Sequence, residues 1–328
     1  MSLFHRLYHP EVFQGSDKKK DYFEGWYLKN ISSDNQTVLS VIPGIALSKA
    51  DPHAFIQVIS DNPTLNRYIK YDIDEFYGST KEFDVQIGKS RFTSRFLHID
   101  LLEGSKKIRG ELLFQEPEKL PRSLFSPGIM GWYSFVPFME CKHGIVSIGH
   151  RLKGRIEIEN RVCDFTNGRG YIEKDWGSSM PETWLWAQCN TFTDSQASFM
   201  LSIAKIPWLG KSFMGFVGFF AYRGVVYRFA TYNTSRITRF EQTGEMTFIV
   251  EIEHPEYTLQ LEGWRRNSAE LKAPISGIMQ RGIKESVDSE VRITVLENNG
   301  NLLFQDTGEK AGLEIVNGIF DCFTDTNP

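Results

Sequence analysis

Cysteine is scarce in this chain. The four in 328 residues, Cys141, Cys163, Cys189 and Cys322, form no C-x-x-C pair and stand at no zinc-like spacing with histidine. This excludes a disulfide framework and fits buried free thiols in a reducing compartment. Long apolar runs are also missing. Residues 1–15 carry no apolar core of signal-peptide length. The most apolar stretch, 127–141, is interrupted by Pro137 and is too short to span a bilayer. A soluble, cytoplasmic protein is expected, with peripheral contact to a membrane left open. No charge of one sign accumulates: 37 Lys and Arg face 41 Asp and Glu, for a formal net charge of −4. The basic residues are scattered, and the run Lys18-Lys-Lys20 reads as a solvated tail, so no nucleic-acid partner is expected.

Familiar catalytic signatures are absent too. No H-E-x-x-H pattern occurs; His143 and His150 are seven apart, on opposite faces of a strand, and His53, His98 and His254 are isolated. No metal site is expected. There is no G-x-S-x-G elbow and no cysteine in a nucleophile motif. Gly168-Arg-Gly170 and Gly215-Phe-Val-Gly218 lie among strand patterns, without the strand–loop–helix setting of a phosphate cradle.

What the chain does have is aromatics: 25 Phe, 12 Tyr and 7 Trp, enough for a β-rich core or a cavity for a large apolar ligand. Period-two alternation dominates. Met246, Phe248, Val250 and Ile252 share one strand face, as do Tyr257, Leu259 and Leu261, and Val291, Ile293 and Val295. Further strands are expected over 22–30, 36–43, 54–60, 66–73, 91–102, 107–115, 144–152, 183–192 and 197–206. Turn signals separate them, at Ser33-Asp-Asn35, Asp61-Asn-Pro63, Asn167-Gly168 and Asn298-Asn-Gly300. Helical periodicity is confined to short turns expected within 125–139 and 175–180. An all-β architecture of two barrel- or sandwich-like halves follows, with few short helices. The irregular Ser178-Ser-Met-Pro181 places the boundary between domains 1–178 and 179–328.

The richest segment is Gly170-Tyr-Ile-Glu-Lys-Asp-Trp-Gly177, followed by Trp184-Leu-Trp186. On a strand, Tyr171, Glu173 and Asp175 point one way and Ile172, Lys174 and Trp176 the other. Carboxylates at i and i+2 lie about 7 Å apart, and in an apolar site one of them should hold its proton near neutral pH. Such an acid can protonate a weak base such as an alkene. The plainer alternative pairs Glu173 and Asp175 with Arg169 or Lys174. In Glu24-Gly-Trp-Tyr27, Glu24 and Trp26 share a face; they either line a ligand cavity or form a core Trp beside a Glu–Arg pair. Trp184 and Trp186 share a face with Gln188, and Trp132 and Tyr133 sit in the apolar loop. All four are either core or cavity wall.

Glu24-Gly-Trp-Tyr-Leu-Lys29, Gly131-Trp-Tyr133, Gly170-Tyr-Ile-Glu-Lys-Asp-Trp-Gly177 and Trp184-Leu-Trp-Ala-Gln188 together resemble the tocopherol cyclase family. The resemblance runs from about Tyr22, is strongest up to Phe192 and fades beyond Thr231. It implies two lipocalin-like β domains, a relationship to carotenoid hydratases, and no cofactor. It implies closure of a chromanol ring: the trisubstituted double bond of a prenylated hydroquinone is protonated, and the phenol oxygen adds to the tertiary carbon. On this analogy Glu173 or Asp175 donates the proton, the other tunes it, and Glu24 is the base or partner for the phenol. Trp26, Tyr27, Trp132, Tyr133, Tyr171, Trp184 and Trp186 would bind the apolar substrate, a prenylated aromatic or another isoprenoid. The start of the chain close to the first motif suggests a bacterial-type member without a transit segment. Two alternatives stay open. A lipocalin-like carrier would need the cavity but not the acids. An isoprenoid hydratase would share the acid but admit water to the cation.

Overall fold

The computed structural model describes residues 3–18, 20–62, 65–104, 106–137, 139–208 and 211–324. Lys19 of the lysine run, Pro63 of one turn signal, and Phe138 of the apolar stretch lie outside the described residues. The chain is all-β, as the alternation predicts. Two large antiparallel sheets carry it, and its described α-helices are the short Leu3–Tyr8 and Ile319–Thr324. No helix among the described residues is long and apolar enough to cross a membrane.

The chain divides into two units. One comprises Met1–Met180 with Leu271–Gly282, the other Pro181–Glu270 with Ile283–Pro328. Across the first sheet, Arg67–Tyr71, His53–Ser60, Val38–Leu47, Tyr22–Ile31, Arg169–Gly177, Cys141–Ile158, Lys106–Glu118 and Phe96–Glu103 follow one another. Ser90–Thr93, Asp84–Ile87 and Phe76–Gly78 complete that order. Side chains from nearly all these strands meet in one core that includes Trp26, Leu28, Val41, Ile56, Phe92, Ile99, Leu112, Ile156 and Ile172. A sheet whose strands all feed one core must curl around it, which is the lipocalin-like arrangement. The second unit repeats the principle. Leu185, Phe199, Leu201, Phe220, Val250, Leu259, Ile293 and Leu313 form its core.

The turn signals act as expected. Asn35 and Asn167 adopt φ of 56° and 65°, and Gly300 adopts 88°, the left-handed conformations that Asn and Gly tolerate best. The helical turn expected within 125–139 is a 3₁₀ helix at Gly131–Phe135. None forms over 175–180, because strand pairing with Cys141–Ile158 continues to Gly177. That end is held closely. Ser178 N–H donates to the Glu140 carbonyl at 2.7 Å. Gly177 has φ +154°, and a Cβ there would stand 2.0 Å from the same oxygen.

Candidate active site

Strand Tyr22–Ile31 lies beside Arg169–Gly177, which in turn lies beside the start of Cys141–Ile158. Tyr27 faces Glu173, Gly25 faces Asp175, and His143 faces Asp175 from the other side. Direct cross-strand neighbours share a face. Tyr27, Tyr171, Glu173, Asp175, Cys141 and His143 therefore gather on the face away from the apolar core. Glu24, Trp26, Leu28, Ile172, Lys174 and Trp176 point to the core face.

On the gathered face His143 stands between the two carboxylates. Its Nδ1 lies 2.9 Å from Asp175 Oδ1 and its Nε2 3.5 Å from Glu173 Oε2. The Tyr171 hydroxyl donates to Glu173 Oε2 at 2.6 Å. Ser40 Oγ donates to the Tyr27 hydroxyl at 3.1 Å. Glu173 is 4 % exposed and Tyr171 fully buried. Burial alone would lower the imidazole of His143, but the charges of Asp175 and Glu173 and the bond to Asp175 overrule it and raise it to about 9. His150, on the same strand, shows the contrast. It is buried beside Ser147 without a carboxylate, and burial lowers it to about 3. Burial and then Glu173 push the Tyr171 phenol well above its ordinary value, so it remains a donor. Burial and Asp175 likewise push up the Cys141 thiol, whose Sγ is 3.9 Å from Asp175 Oδ1. Where one carboxyl was expected to hold a proton, an imidazole raised to about 9 stands between the two carboxylates.

The other sequence-derived candidates lie elsewhere. Glu24 is fully buried on the core face, where Lys174 Nζ approaches its Oε1 to 2.5 Å. It also accepts from Gln14 N–H at 2.9 Å and from the Tyr22 hydroxyl at 2.6 Å. Lys174 donates in addition to the carbonyls of Pro10 and Val12 and lies over the rings of Trp26 and Trp176. This is the plainer reading of Glu24, with Lys174 in place of an arginine. Trp26 belongs to the core and stacks on Phe83. Trp132 and Tyr133 stack on each other in the 3₁₀ turn, with Trp132 half exposed. Trp184 and Trp186 belong to the second unit, on the face away from its core, where Trp184 Nε1 donates to Glu314 Oε2 at 2.5 Å. Of the proposed site residues within the first unit, then, Tyr27, Tyr171, Glu173 and Asp175 come together, Glu24 and Trp26 face the other side of the sheet, and Trp132 and Tyr133 sit in the 3₁₀ turn.

Sequence reasoning passed over His143. Its only signal there was its place at the start of a strand, and nothing indicated which strand would lie beside it. His143, Glu173 and Asp175 each offer a ligand atom, all within 4.8 Å of one another, so these are the residues that could hold a metal ion.

The fold and this site define a class: a two-sheet, lipocalin-like protein with a histidine and two carboxylates gathered on one sheet face. At the level of fold, the chain is similar to CghA solved with Sch210972, with a TM-score of 0.58, 8% identity, and 90% of this chain and 88% of that chain covered. It is also similar to a putative AttH from Nitrosomonas europaea, with a TM-score of 0.52, 12% identity, and 89% and 92% covered. The tocopherol cyclase-like family model matches residues 122–317, well over half of the sequence, and the chain belongs to that family. Curated relatives share a shorter stretch of 74 residues. Identity is 35% to the probable chloroplastic tocopherol cyclase of Oryza sativa subsp. japonica and 34% to the chloroplastic tocopherol cyclase of Zea mays. The stretch is 23% of this chain and 16% of each relative.

Proposed function

We propose that this chain is an acid catalyst of isoprenoid chemistry, closing the ring of a prenylated hydroquinone without a redox cofactor. The observation that carries the reading is His143, held between Asp175 and Glu173 on a buried face beside two phenols. Family membership supports the reaction class, and the geometry supports the division of labour within it.

Asp175 bonds Nδ1 and so fixes the orientation of the ring, leaving Nε2 toward Glu173. An imidazolium raised to about 9 is a proton store and a poor direct donor to an alkene. A carboxylic acid is the stronger donor. When an apolar substrate displaces water, the neutral imidazole–carboxylic acid pair gains on the ion pair, and the proton moves to Glu173. Glu173 then protonates the less substituted alkene carbon. The tertiary cation is captured by the phenol oxygen, forming the C–O bond. The phenolic proton returns to the Glu173–His143 pair, so substrate and product are isomers and the site is restored. Tyr171 holds the Glu173 carboxylate in place, and Tyr27 stands opposite Glu173 on the neighbouring strand, where aromatic π-density would lower the energy of a cation by about 0.5–2 kcal/mol. Glu24 has no part in this scheme, because its oxygens are occupied on the other face of the sheet.

The test is turnover of geranylgeranyl and phytyl hydroquinones in D₂O, with the Glu173→Gln variant alongside. A chromanol with one carbon-bound deuterium, formed by the wild type and not by the variant, supports the proposal. A tertiary alcohol would instead make the protein a hydratase, and unchanged quinol bound by both proteins would make it a carrier.

A further inference from the structure

The segment that leads into the His143 strand is apolar on its outer side. Leu124 and Phe125 are 71% and 78% exposed, and Trp132 and Phe135 are 49% and 43% exposed. These are four of the chain's large exposed hydrophobics, gathered within twelve residues. In the 3₁₀ helix Gly131–Phe135, residues three apart stack on the same side, so Trp132 and Phe135 present one surface. The segment is anchored from beneath. The Tyr8 hydroxyl donates to the Leu124 carbonyl, Ser123 and Ser126 bridge each other, and Arg122 is paired with Glu11 at 3.1 Å. An apolar surface on an anchored segment is costly in water and marks an interaction site.

The charge next to it says which kind. Lys142 Nζ donates to the Ser134 carbonyl of the 3₁₀ helix at 3.3 Å, and the Lys18 charge acts on Lys142. The Asp17 carboxylate beside Lys18 feels the charge of Lys18 but is bonded to Arg6 at 2.9 Å. Two neighbouring ammonium groups beside Trp and Phe side chains complement a surface with phosphate at one level and acyl chains just below it. Trp favours that boundary, and lysines reach phosphate from it.

We propose that the segment 123–136 seats this protein on a phospholipid surface, with Leu124, Phe125, Trp132 and Phe135 in the acyl boundary and Lys18 and Lys142 on lipid phosphate. The inference does not depend on the reaction proposed above. The segment touches the site strand, where Met130 Sδ accepts the His143 backbone N–H at 3.2 Å.

The test is co-sedimentation of the full chain with extruded vesicles, either pure phosphatidylcholine or phosphatidylcholine:phosphatidylglycerol. Variants Phe125→Ser/Trp132→Ser and Lys18→Gln/Lys142→Gln are run beside the wild type, with circular dichroism confirming their fold. The aromatic pair variant should lose about tenfold or more in partitioning to both vesicles, as expected for removal of two inserted rings. The lysine variant should lose several-fold only on the anionic vesicles, as would the wild type in high salt. Unchanged partitioning of the aromatic variant, or no binding of the wild type to either vesicle, overturns the proposal. So does a wild-type dimer in sedimentation velocity that Trp132→Ser dissociates, because the surface would then belong to a second copy. Displacement by inorganic phosphate alone, with the aromatic variant unaffected, would reduce the site to an anion site and also overturn it.

Discussion

His143 and Asp175 face each other directly across two antiparallel strands, with Nδ1 and Oδ1 2.9 Å apart. Glu173, two residues along, lies 3.5 Å from the other ring nitrogen. Burial disfavours a charged imidazole, and the two carboxylates outweigh it, raising His143 to about 9. A histidine raised on folding binds its proton more tightly in the native state, so its contribution is complete below about pH 6.5 and is lost as pH rises to about 9. Over that window the stability advantage of the wild type over His143→Gln should shrink by about 3 kcal/mol. Urea titrations at intervals from pH 6 to 9.5 measure it, and a pH-independent difference would contradict the geometry.

The two buried imidazoles of one strand should titrate in opposite directions. His150 has no carboxylate partner and is lowered to about 3, so it stays neutral through the physiological range. Its folded form takes up no proton where the unfolded chain does, and it costs stability as pH falls from about 6.5 toward 3. In NMR spectra of histidine-labelled protein, one ring should remain protonated above pH 8 and another remain neutral at pH 5. Asp175→Asn should remove the first behaviour and leave the second.

The kinetic counterpart separates proton transfer from binding. Glu173→Gln keeps the hydrogen-bonding shape but has no acidic proton, and should cost roughly 10²–10⁴ in kcat with a small change in KM. Tyr171→Phe leaves the acid and removes only the donor at 2.6 Å, so a smaller loss, about tenfold, is expected. Equal losses from the two variants would mean that Tyr171 itself transfers the proton.

Much of this was legible from residue order. Period-two alternation is a local property, so the strands, the all-β class and the shared face of Tyr171, Glu173 and Asp175 could be read without coordinates. Pairing is not local. Nothing near His143 indicates that it faces Asp175, some thirty residues on, and nothing in Glu-Gly-Trp-Tyr indicates which face of its strand turns inward. The same gap explains Glu24 and Lys174. In the sequence Glu24 reads as a cavity group or as the partner of an arginine, and Lys174 as a partner of Glu173 or Asp175, and only register brings the two together in the core. The Trp residues misled because burial of an indole serves a core, a ligand cavity and a lipid boundary equally well.

Lys174 tests the core-face assignment. Its ammonium and Glu24 are both fully buried, and its Nζ also satisfies the carbonyls of Pro10 and Val12. Removing one member of a buried ion pair leaves the other charge uncompensated and typically costs about 3–5 kcal/mol. Lys174→Met should therefore destabilise by that order, and Glu24→Gln in the same chain should restore part of the loss, since the carboxylate is no longer stranded. A double-mutant cycle by urea unfolding measures the coupling. Additive effects would show that the two groups do not depend on each other.

Gly177 links backbone geometry to the acid two residues before it. Its φ of +154° and the Glu140 carbonyl, 2.0 Å from where a Cβ would be, leave no room for a side chain. The obstacle is backbone, held by Ser178 N–H at 2.7 Å, so it cannot swing aside as a side chain would. Gly177→Ala must push the two strands apart at the end that carries Asp175 and Cys141, which costs about 1–3 kcal/mol. The greater effect should be on His143. As Asp175 moves away from Nδ1, the imidazole loses its nearest counter-charge, and its titration should move down from about 9 toward the range of an ordinary histidine. NMR titration of the Gly177→Ala protein checks this. A destabilised variant whose His143 still titrates near 9 would show that Asp175 is held by contacts other than the Gly177–Glu140 approach.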